Sequence, residues 1–172
     1  MAQKTLKLII FLSLTFLIAC NSDKDSFGDV RKTNLVLSSG RMLTVKLAIT
    51  PEEQQQGLSG LKDQDFPDEE GMLFYYKNMG PKRFWMPDTY FNLDIIFLDQ
   101  DMKVIAIERN VPAHPGRTED PPIAQTRTYL ARHVLELKAN SQIAKTIREG
   151  DKIIWQKPET PNQIESSIRQ KK

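Results

Sequence analysis

The amino-acid sequence predicts a mainly β fold, either a β-sandwich or a partly closed barrel, with two short helices. About eight apolar runs of strand length are separated by turn-forming residues. Signals for the start of a helix occur in two places, and no internal repeat is found. With 172 residues, the chain has room for one domain with a single core, to which we assign residues from the central runs: Leu73, Phe74, Trp85, Ile95 and Phe97.

Strands are expected where apolar residues alternate with polar ones or form short continuous runs. The first two runs flank a turn at residues 38–41 and form a hairpin, and residues 99–101 form a second hairpin turn. The expected strands cover residues 34–37, 42–49, 72–76, 83–86, 93–98, 103–109, 129–137 and 152–155.

A short helix is expected directly after the second strand. Thr50 is suited to cap this helix, Pro51 fits its first position, and Glu53 completes a capping box. Gly57 provides the left-handed conformation that ends so short a helix.

Two segments are expected to be loops, the first of them on the surface, and a second helix follows them. Residues 58–70 are rich in charged and turn-forming residues, and residues 111–127 contain four prolines. The second helix is predicted over residues 140–148, with Asn140 as its cap and Gly150 as its stop.

The N-terminus carries the pattern of a bacterial lipoprotein signal. Lys4 and Lys7 form a basic start, and the apolar run over residues 8–18 is shorter than the about 20 residues of a spanning helix. Leu17-Ile18-Ala19-Cys20 then resembles a lipobox, in which the chain is cleaved before the cysteine and the cysteine is lipidated. The alternative is that Cys20 ends an uncleaved anchor helix.

These signals divide the chain into four expected parts: a signal peptide over residues 1–19, a tether over 20–29, a β domain over 30–156 and a flexible tail over 157–172. Lipid chains contribute about 0.8 kcal/mol per buried methylene, so two or three of them hold a domain on a membrane. Asn21 favours the outer membrane, and the expected location is its periplasmic face.

Composition excludes several classes of function. Cys20 is the only cysteine, so the mature domain has no cysteine left for a disulfide, a thiolate metal site or a thiol nucleophile. Loss of Lys4 and Lys7 with the signal peptide leaves 22 basic residues against 22 acidic ones, and this balance gives no general attraction to nucleic acid. Nucleotide-binding and serine-hydrolase motifs are missing, and no cofactor is expected.

An ordered set of short motifs runs through the β domain. The motifs are Gly57-Leu58-Ser59-Gly60, Gly71-Met72-Leu73-Phe74, Phe84-Trp85-Met86, Thr89, Leu93-Asp94-Ile95-Ile96, Val111-Pro112, Val134-Leu135-Glu136-Leu137 and Gly150-Asp151. In this order they resemble the DUF192 (UPF0127) family. The resemblance implies a jelly-roll-like β-sandwich, and its most distinctive residues here are Trp85, Met86, Thr89 and Asp94.

Asp94 is the carboxylate that interrupts an apolar strand, and two roles are open for it. A buried unpaired carboxylate costs several kcal/mol, so a buried Asp94 needs partners such as the turn at residues 87–92 or Arg83. We favour this structural role over a ligand-binding or general-base role. Glu108 and Glu136 are expected on solvated faces of their strands.

The expected ligand surface combines loops with an aromatic residue. Trp85 and Met86 are adjacent, so one of them should pack inward while the other faces a cleft or loop. The loops at residues 57–70, 85–89 and 111–127 are expected to form this surface, because loops carry function while strands hold them in place. The ligand-binding candidates are Trp85, Met86, Thr89 and Asp94.

A metal site is a weaker expectation. Met72, Met86 and His114 could supply two thioethers and an imidazole to Cu(I), but methionine is common in cores and no metal is assigned. His114 is expected to be exposed in its loop, and His133 to lie on an outer strand face.

The sequence therefore indicates a membrane-tethered extracytoplasmic β domain that binds a small ligand or an envelope protein. The first alternative is an enzyme that acts on envelope carbohydrate with Asp94 and a second carboxylate, typically about 5–10 Å apart. The lesser alternative is a Cu(I)-binding protein.

Overall fold

The computed structural model describes residues 31–156 together with Gln163 and Ser166. The expected signal peptide, the tether and Cys20 lie outside the described residues, as does nearly all of the expected tail. No helix among the described residues is long and apolar enough to cross a membrane.

Strands dominate the described residues, which confirms the mainly β prediction. Between residues 31 and 156, the helical elements are one α-helix and two single 3₁₀ turns, at Asp63–Asp65 and Ala144–Thr146. The α-helix and the strands are β1 Lys32–Val36, β2 Met42–Ala48, α1 Pro51–Gln56, β3 Glu70–Phe74, β4 Gly80–Lys82, β5 Leu93–Leu98, β6 Val104–Val111, β7 Tyr129–Ala131, β8 His133–Lys138 and β9 Ile154–Gln156.

Seven strands form one sheet in the order β6-β5-β8-β3-β2-β1-β9, and β4 pairs with β7 in a second, two-stranded sheet. The β2–β3 pair is parallel, and the other pairs are antiparallel. A bridge between Lys103 and Lys152, just outside β6 and β9, brings the two edges of the large sheet together. The fold is sandwich-like rather than a closed barrel, since β6 and β9 do not pair along their lengths.

Both faces of the large sheet are covered by apolar residues. β5 is buried along its whole length, as expected of a central strand that packs on both faces. One apolar cluster includes Leu73, Ile96 and Leu135, and the other includes Phe74 and Val134 together with Met72, Ile95 and Phe97.

The prediction of a single core was therefore wrong in two respects. Leu73 packs on one face of the sheet, whereas Phe74, Ile95 and Phe97 pack on the other, because adjacent strand residues point to opposite faces. Trp85 belongs to neither cluster and is 56% exposed.

Four other local predictions differ from the structure. Residues 83–86 make a single bridge, Trp85 to Gln125, rather than a strand. The run at 129–137 divides into β7 and β8, which lie in different sheets. The loop at 58–70 contains the buried Phe66, and the second helix is reduced to a 3₁₀ turn. That turn is capped by a neighbouring residue: the Ser141 Oγ accepts a hydrogen bond from the Ala144 N–H at 3.1 Å.

Candidate functional site

A cleft opens between the end of α1, the segment 85–89 and one face of the large sheet. Its cavity has a volume of about 50 Å³ and is partly open to solvent, so it has room for a small group rather than for a drug-sized ligand. The residues that line it come from five parts of the chain: Gln54, Gln55, Gln56, Gly57, Leu58, Ser59, Phe74, Phe84, Trp85, Met86, Pro87, Thr89, Leu93 and Glu136.

The wall formed by α1 is fixed by the capping box that the sequence predicted. The Thr50 Oγ1 accepts from the Glu53 N–H at 3.2 Å, and the Glu53 carboxylate accepts from the Thr50 N–H at 2.9 Å. Gly57 ends the helix with a φ of +49°. A Cβ at Gly57 would lie 3.1 Å from the Phe74 ring, so this position also needs a residue without a side chain.

Two glutamines tie this wall to its surroundings. The Gln54 Nε2 donates to the carbonyl oxygens of Tyr75 at 2.8 Å and Ile49 at 3.1 Å, which joins α1 to the end of β3. The Gln56 Nε2 donates to the Ser59 carbonyl at 2.6 Å. These contacts hold the wall at a set position relative to the sheet.

The facing wall is held by hydroxyl groups. The Ser59 Oγ donates to the Pro87 carbonyl at 2.7 Å, and the Thr89 Oγ1 lies 3.3 Å from the same oxygen. The Thr89 backbone also pairs with His114 in an isolated bridge. The segment 85–89 is therefore anchored to two loops.

Trp85 and Met86 point in opposite directions. Met86 is fully buried in the apolar cluster on the cleft side of the sheet, whereas the Trp85 side chain is more than half exposed. The cleft therefore has an exposed indole at its mouth. An exposed aromatic beside a cleft provides a large contact area for a ligand.

Glu136 lies in the cleft with its side chain buried. It is 4% exposed, and it stands opposite Met72 on β3 and Ile95 on β5, on the same face of the sheet. No residue of the described part of the chain donates a hydrogen bond to its carboxyl group. Burial therefore raises the pKa of Glu136 from 4.5 to about 8.

The expectation that Glu136 faces solvent was wrong. Residues 134 and 136 share the face of β8 that the second apolar cluster and the cleft cover, so the alternation of the strand places this carboxylate inside. A signal was present in the sequence, since Val134-Leu135-Glu136-Leu137 is an apolar run interrupted by one acid, as around Asp94.

Tyr76 is a second ionisable group affected by this environment. Burial, and secondarily the charge of Glu136, raise the pKa of Tyr76 to about 12. The phenol is therefore neutral over the range in which Glu136 titrates and places no charge near that carboxyl group.

Asp94 lies on the other face of the sheet. Its Oδ2 is 2.6 Å from the Arg109 Nη1, and its Oδ1 accepts from the Asn110 N–H at 2.8 Å. Arg109 also donates to the carbonyls of Ala144, at 2.9 Å, and Ile147. This carboxylate thus joins β5, β6 and the 3₁₀ turn, and its partners differ from those the sequence suggested.

The structure brings together three of the four ligand-binding candidates. Trp85, Met86 and Thr89 line the cleft, and Asp94 does not. Residues 57–59 and 85–89 contribute to the lining, whereas the loop at 111–127 supplies none of the residues that line it. Asp94 and Glu136 do not face each other across one groove, so the geometry gives no support to a carbohydrate-cleaving carboxylate pair formed by these two residues.

Both histidines are buried, contrary to expectation. The His114 Nε2 is 2.6 Å from the Thr118 carbonyl oxygen, which holds its loop together. The His133 ring stacks on Tyr75 with centroids 4.6 Å apart, and its Nδ1 accepts from the Tyr76 N–H at 3.3 Å. Burial, together with the charges of Arg132 and Lys82, lowers the pKa of His133 to about 3.

The weak metal candidates occupy packed positions. Met72 and Met86 both lie in the apolar cluster on the cleft side, and the His114 ring is already bonded to a backbone carbonyl. Within the described ranges, no group of three or more His, Cys, Asp or Glu side chains is placed to hold a metal ion.

Comparison with known proteins places the chain in a family. The family model DUF192, described as "Uncharacterized ACR, COG1430", matches residues 34–155, which is more than half of the chain. No curated protein sequence matches.

Two solved structures are similar. One is a candidate transcription regulator from Sinorhizobium meliloti, with 32% identity and a TM-score of 0.60, and the match covers 75% of this chain and 97% of that protein. The other is a protein of unknown function from Novosphingobium aromaticivorans, with 30% identity, a TM-score of 0.57, and coverage of 73% and 85%. On the strength of the family match and these shared folds, the chain belongs to the DUF192 family.

Proposed function

We propose that this protein is a lipid-anchored binding domain of the bacterial cell envelope, and that its ligand occupies the cleft over Glu136. The observation that carries the proposal is a buried carboxyl group that lines an open cleft without a hydrogen-bond partner among the described residues. An exposed indole stands at the same cleft.

The energetics favour a ligand at this position. A buried polar group without a hydrogen bond costs roughly 1–3 kcal/mol, and an ionised one costs more. Elsewhere in the described chain, the buried Asp94 is paired with Arg109. Groups whose pKa is strongly shifted by burial are concentrated at functional sites, so a buried carboxyl group in a cleft is a candidate for ligand contact.

The proposed location rests on the N-terminal signal. Leu17-Ile18-Ala19-Cys20 supplies the cleavage and lipidation site, and Asn21 supports transfer to the outer membrane. The partners in this proposal are the membrane, through the lipid on Cys20, and a small ligand or envelope protein at the cleft.

The fluorescence of Trp85 tests the binding function. In the full-length protein, purified from membranes in a non-ionic detergent, Trp155→Phe leaves Trp85 as the single indole. Four probes are titrated to millimolar concentration: n-butylammonium, methyl α-glucoside, N-methylacetamide and acetate. We expect a saturable change in Trp85 emission with a cationic or neutral probe.

The matched control is Trp85→Phe, in which Trp155 reports instead from the other side of the large sheet. Its emission should not respond to the probe that affects Trp85. If none of the four probes changes Trp85 emission, or if Trp155 responds equally, the cleft is not a ligand site.

A further inference from the structure

Most hydrogen-bond donors on the polar side chains that line the cleft are already used. The amide nitrogens of Gln54 and Gln56 donate to backbone carbonyls, and the hydroxyl groups of Ser59 and Thr89 are directed to the Pro87 carbonyl. The oxygen atoms of these groups retain lone pairs. The donors that remain include the amide of Gln55, exposed at the rim, and the indole N–H of Trp85.

Among the described residues, the ionisable side chains that line the cleft are acidic only. In the described part of the chain, the lining includes one carboxyl group, Glu136, and no Lys, Arg or His side chain. The remaining lining is largely apolar or aromatic, including Phe74, Phe84 and the exposed Trp85. A site of acceptors and aromatic faces is complementary to a hydrogen-bond donor that carries positive charge.

We propose that the cleft binds a primary ammonium group, which pairs with the Glu136 carboxylate while its hydrocarbon chain packs against Trp85. This inference rests on the proposed binding function and names the class of ligand. An ammonium group has three donors and no acceptor, which matches the Glu136 carboxylate and the lone pairs that the lining presents.

The protonation state of Glu136 in the empty cleft determines how many protons are released on binding. Burial keeps the carboxyl group of Glu136 protonated at neutral pH, so an ammonium ligand that pairs with the carboxylate must displace this proton to the buffer. The titratable group that faces Glu136 is Tyr76, which stays neutral, and α1 presents only glutamines to the cleft. Binding should therefore release close to one proton.

The test is isothermal titration of n-butylammonium chloride into the full-length protein in a non-ionic detergent. At pH 7 the heat is measured in phosphate and in Tris, whose ionisation enthalpies differ, so the difference gives the number of protons released. We expect nearly one, and an affinity that rises roughly tenfold from pH 6 to pH 7. n-Butanol, a neutral analogue of similar shape, should bind at least about tenfold more weakly.

Two matched variants separate the carboxylate from general effects. Glu136→Gln keeps the shape of the side chain and removes its charge, and it should abolish both binding and proton release. Glu108→Gln removes a carboxylate on β6 that is bonded to Arg127 and Tyr129 outside the cleft, and it should bind as the wild type does. N-acetyl-lysine methylamide distinguishes the source: stronger binding than n-butylammonium indicates a lysine side chain of a partner, and weaker binding a free amine.

The outcomes separate this inference from the proposed function. Equal binding of n-butanol, no proton release by the wild type, or unchanged binding by Glu136→Gln would overturn the ammonium assignment. If methyl α-glucoside alters Trp85 emission while n-butylammonium does not bind, the cleft is a ligand site for another class. If no probe binds, both proposals fail.

Discussion

Two buried carboxylates on opposite faces of one sheet have different surroundings. Asp94 pairs with Arg109 and an N–H group, whereas Glu136 meets apolar residues and a cleft. Each is a single acid in an apolar strand, so the sequence alone gives them the same appearance. The difference arises from which distant segment covers each face of the sheet.

Replacing Asp94 should destabilise the fold without affecting the cleft. Asp94→Asn removes the ion pair and leaves the Arg109 guanidinium with carbonyl partners only, so we expect a loss of about 1–3 kcal/mol in the free energy of unfolding. Urea denaturation measures the loss.

The control is Glu108→Gln, which breaks an ion pair with the largely exposed Arg127 and should cost less than about 1 kcal/mol. Equal stability of Asp94→Asn and wild type, with loss of ligand binding, would assign Asp94 to a site instead.

Stability should depend on pH through Glu136. Its pKa is about 8 in the folded protein against an ordinary value of 4.5, so the folded state binds more protons between these values. The free energy of unfolding therefore decreases as pH rises from about 4.5 to about 8, by roughly a few kcal/mol in total. His133 acts in the opposite sense, because its lowered pKa makes stability decrease as pH falls from 6.5 toward 3.

Urea midpoints measured across this range test the assignment. Glu136→Gln should remove the decline above about pH 5 and leave the acid decline caused by His133 unchanged. A wild-type midpoint that stays level up to pH 8 would show that Glu136 is ionised at ordinary pH values.

At the scale of elements, α1 shows how local sequence positions one wall of the candidate site. The helix has six residues and buries none of them, so its stability depends on its capping and on the Gln54 contacts. Thr50→Ala should therefore cost about 1 kcal/mol and weaken probe binding, because the same helix carries the cleft lining.

Thermal unfolding and the Trp85 titration measure the two effects. Glu52→Ala is the matched control, since Glu52 lies in the same first turn, is exposed and takes no part in the capping box. Equal losses of stability in the two variants would show that the capping box does not specifically fix this wall.

The elements whose formation depends on residues close in sequence were the most predictable. The capping box of Thr50 and Glu53, the first hairpin and the span of β5 follow from short-range patterns, and the structure confirms them. The break at Arg132 was not predicted, because it depends on β7 pairing with β4 while β8 enters the large sheet. Tertiary pairing overrides local strand propensity there.

The difference between short-range patterns and tertiary contacts also explains which residues of the candidate site the sequence indicated. Trp85, Met86 and Thr89 were proposed because their segment is locally unusual, and they line the cleft. Glu136 was missed because its burial depends on α1, residues 57–59 and the segment 85–89 all meeting over one face of β8. Contacts at such separations in sequence leave little trace in local periodicity.

At the scale of the whole molecule, the described domain carries the cleft, and the lipoprotein-like pattern at the N-terminus is the basis of the proposed location. Cys20→Ser should prevent lipidation, so that the protein is released from the membrane or remains unprocessed at its N-terminus. Membrane fractionation with mass determination checks this. A Cys20→Ser protein that is still membrane-bound and of mature size would contradict the lipoprotein proposal.

In the proposed site, Glu136 is a buried carboxyl group that is neutral at pH 7 in the free protein and pairs with a cationic ligand in the cleft. The most direct measurement is the pH titration of its ¹³Cδ resonance by NMR in glutamate-labelled protein, with the signal assigned by its loss in Glu136→Gln. We predict a midpoint near 8 in the free protein, shifted downward by saturating n-butylammonium. A midpoint near the ordinary value of 4.5 in the free protein would contradict the account.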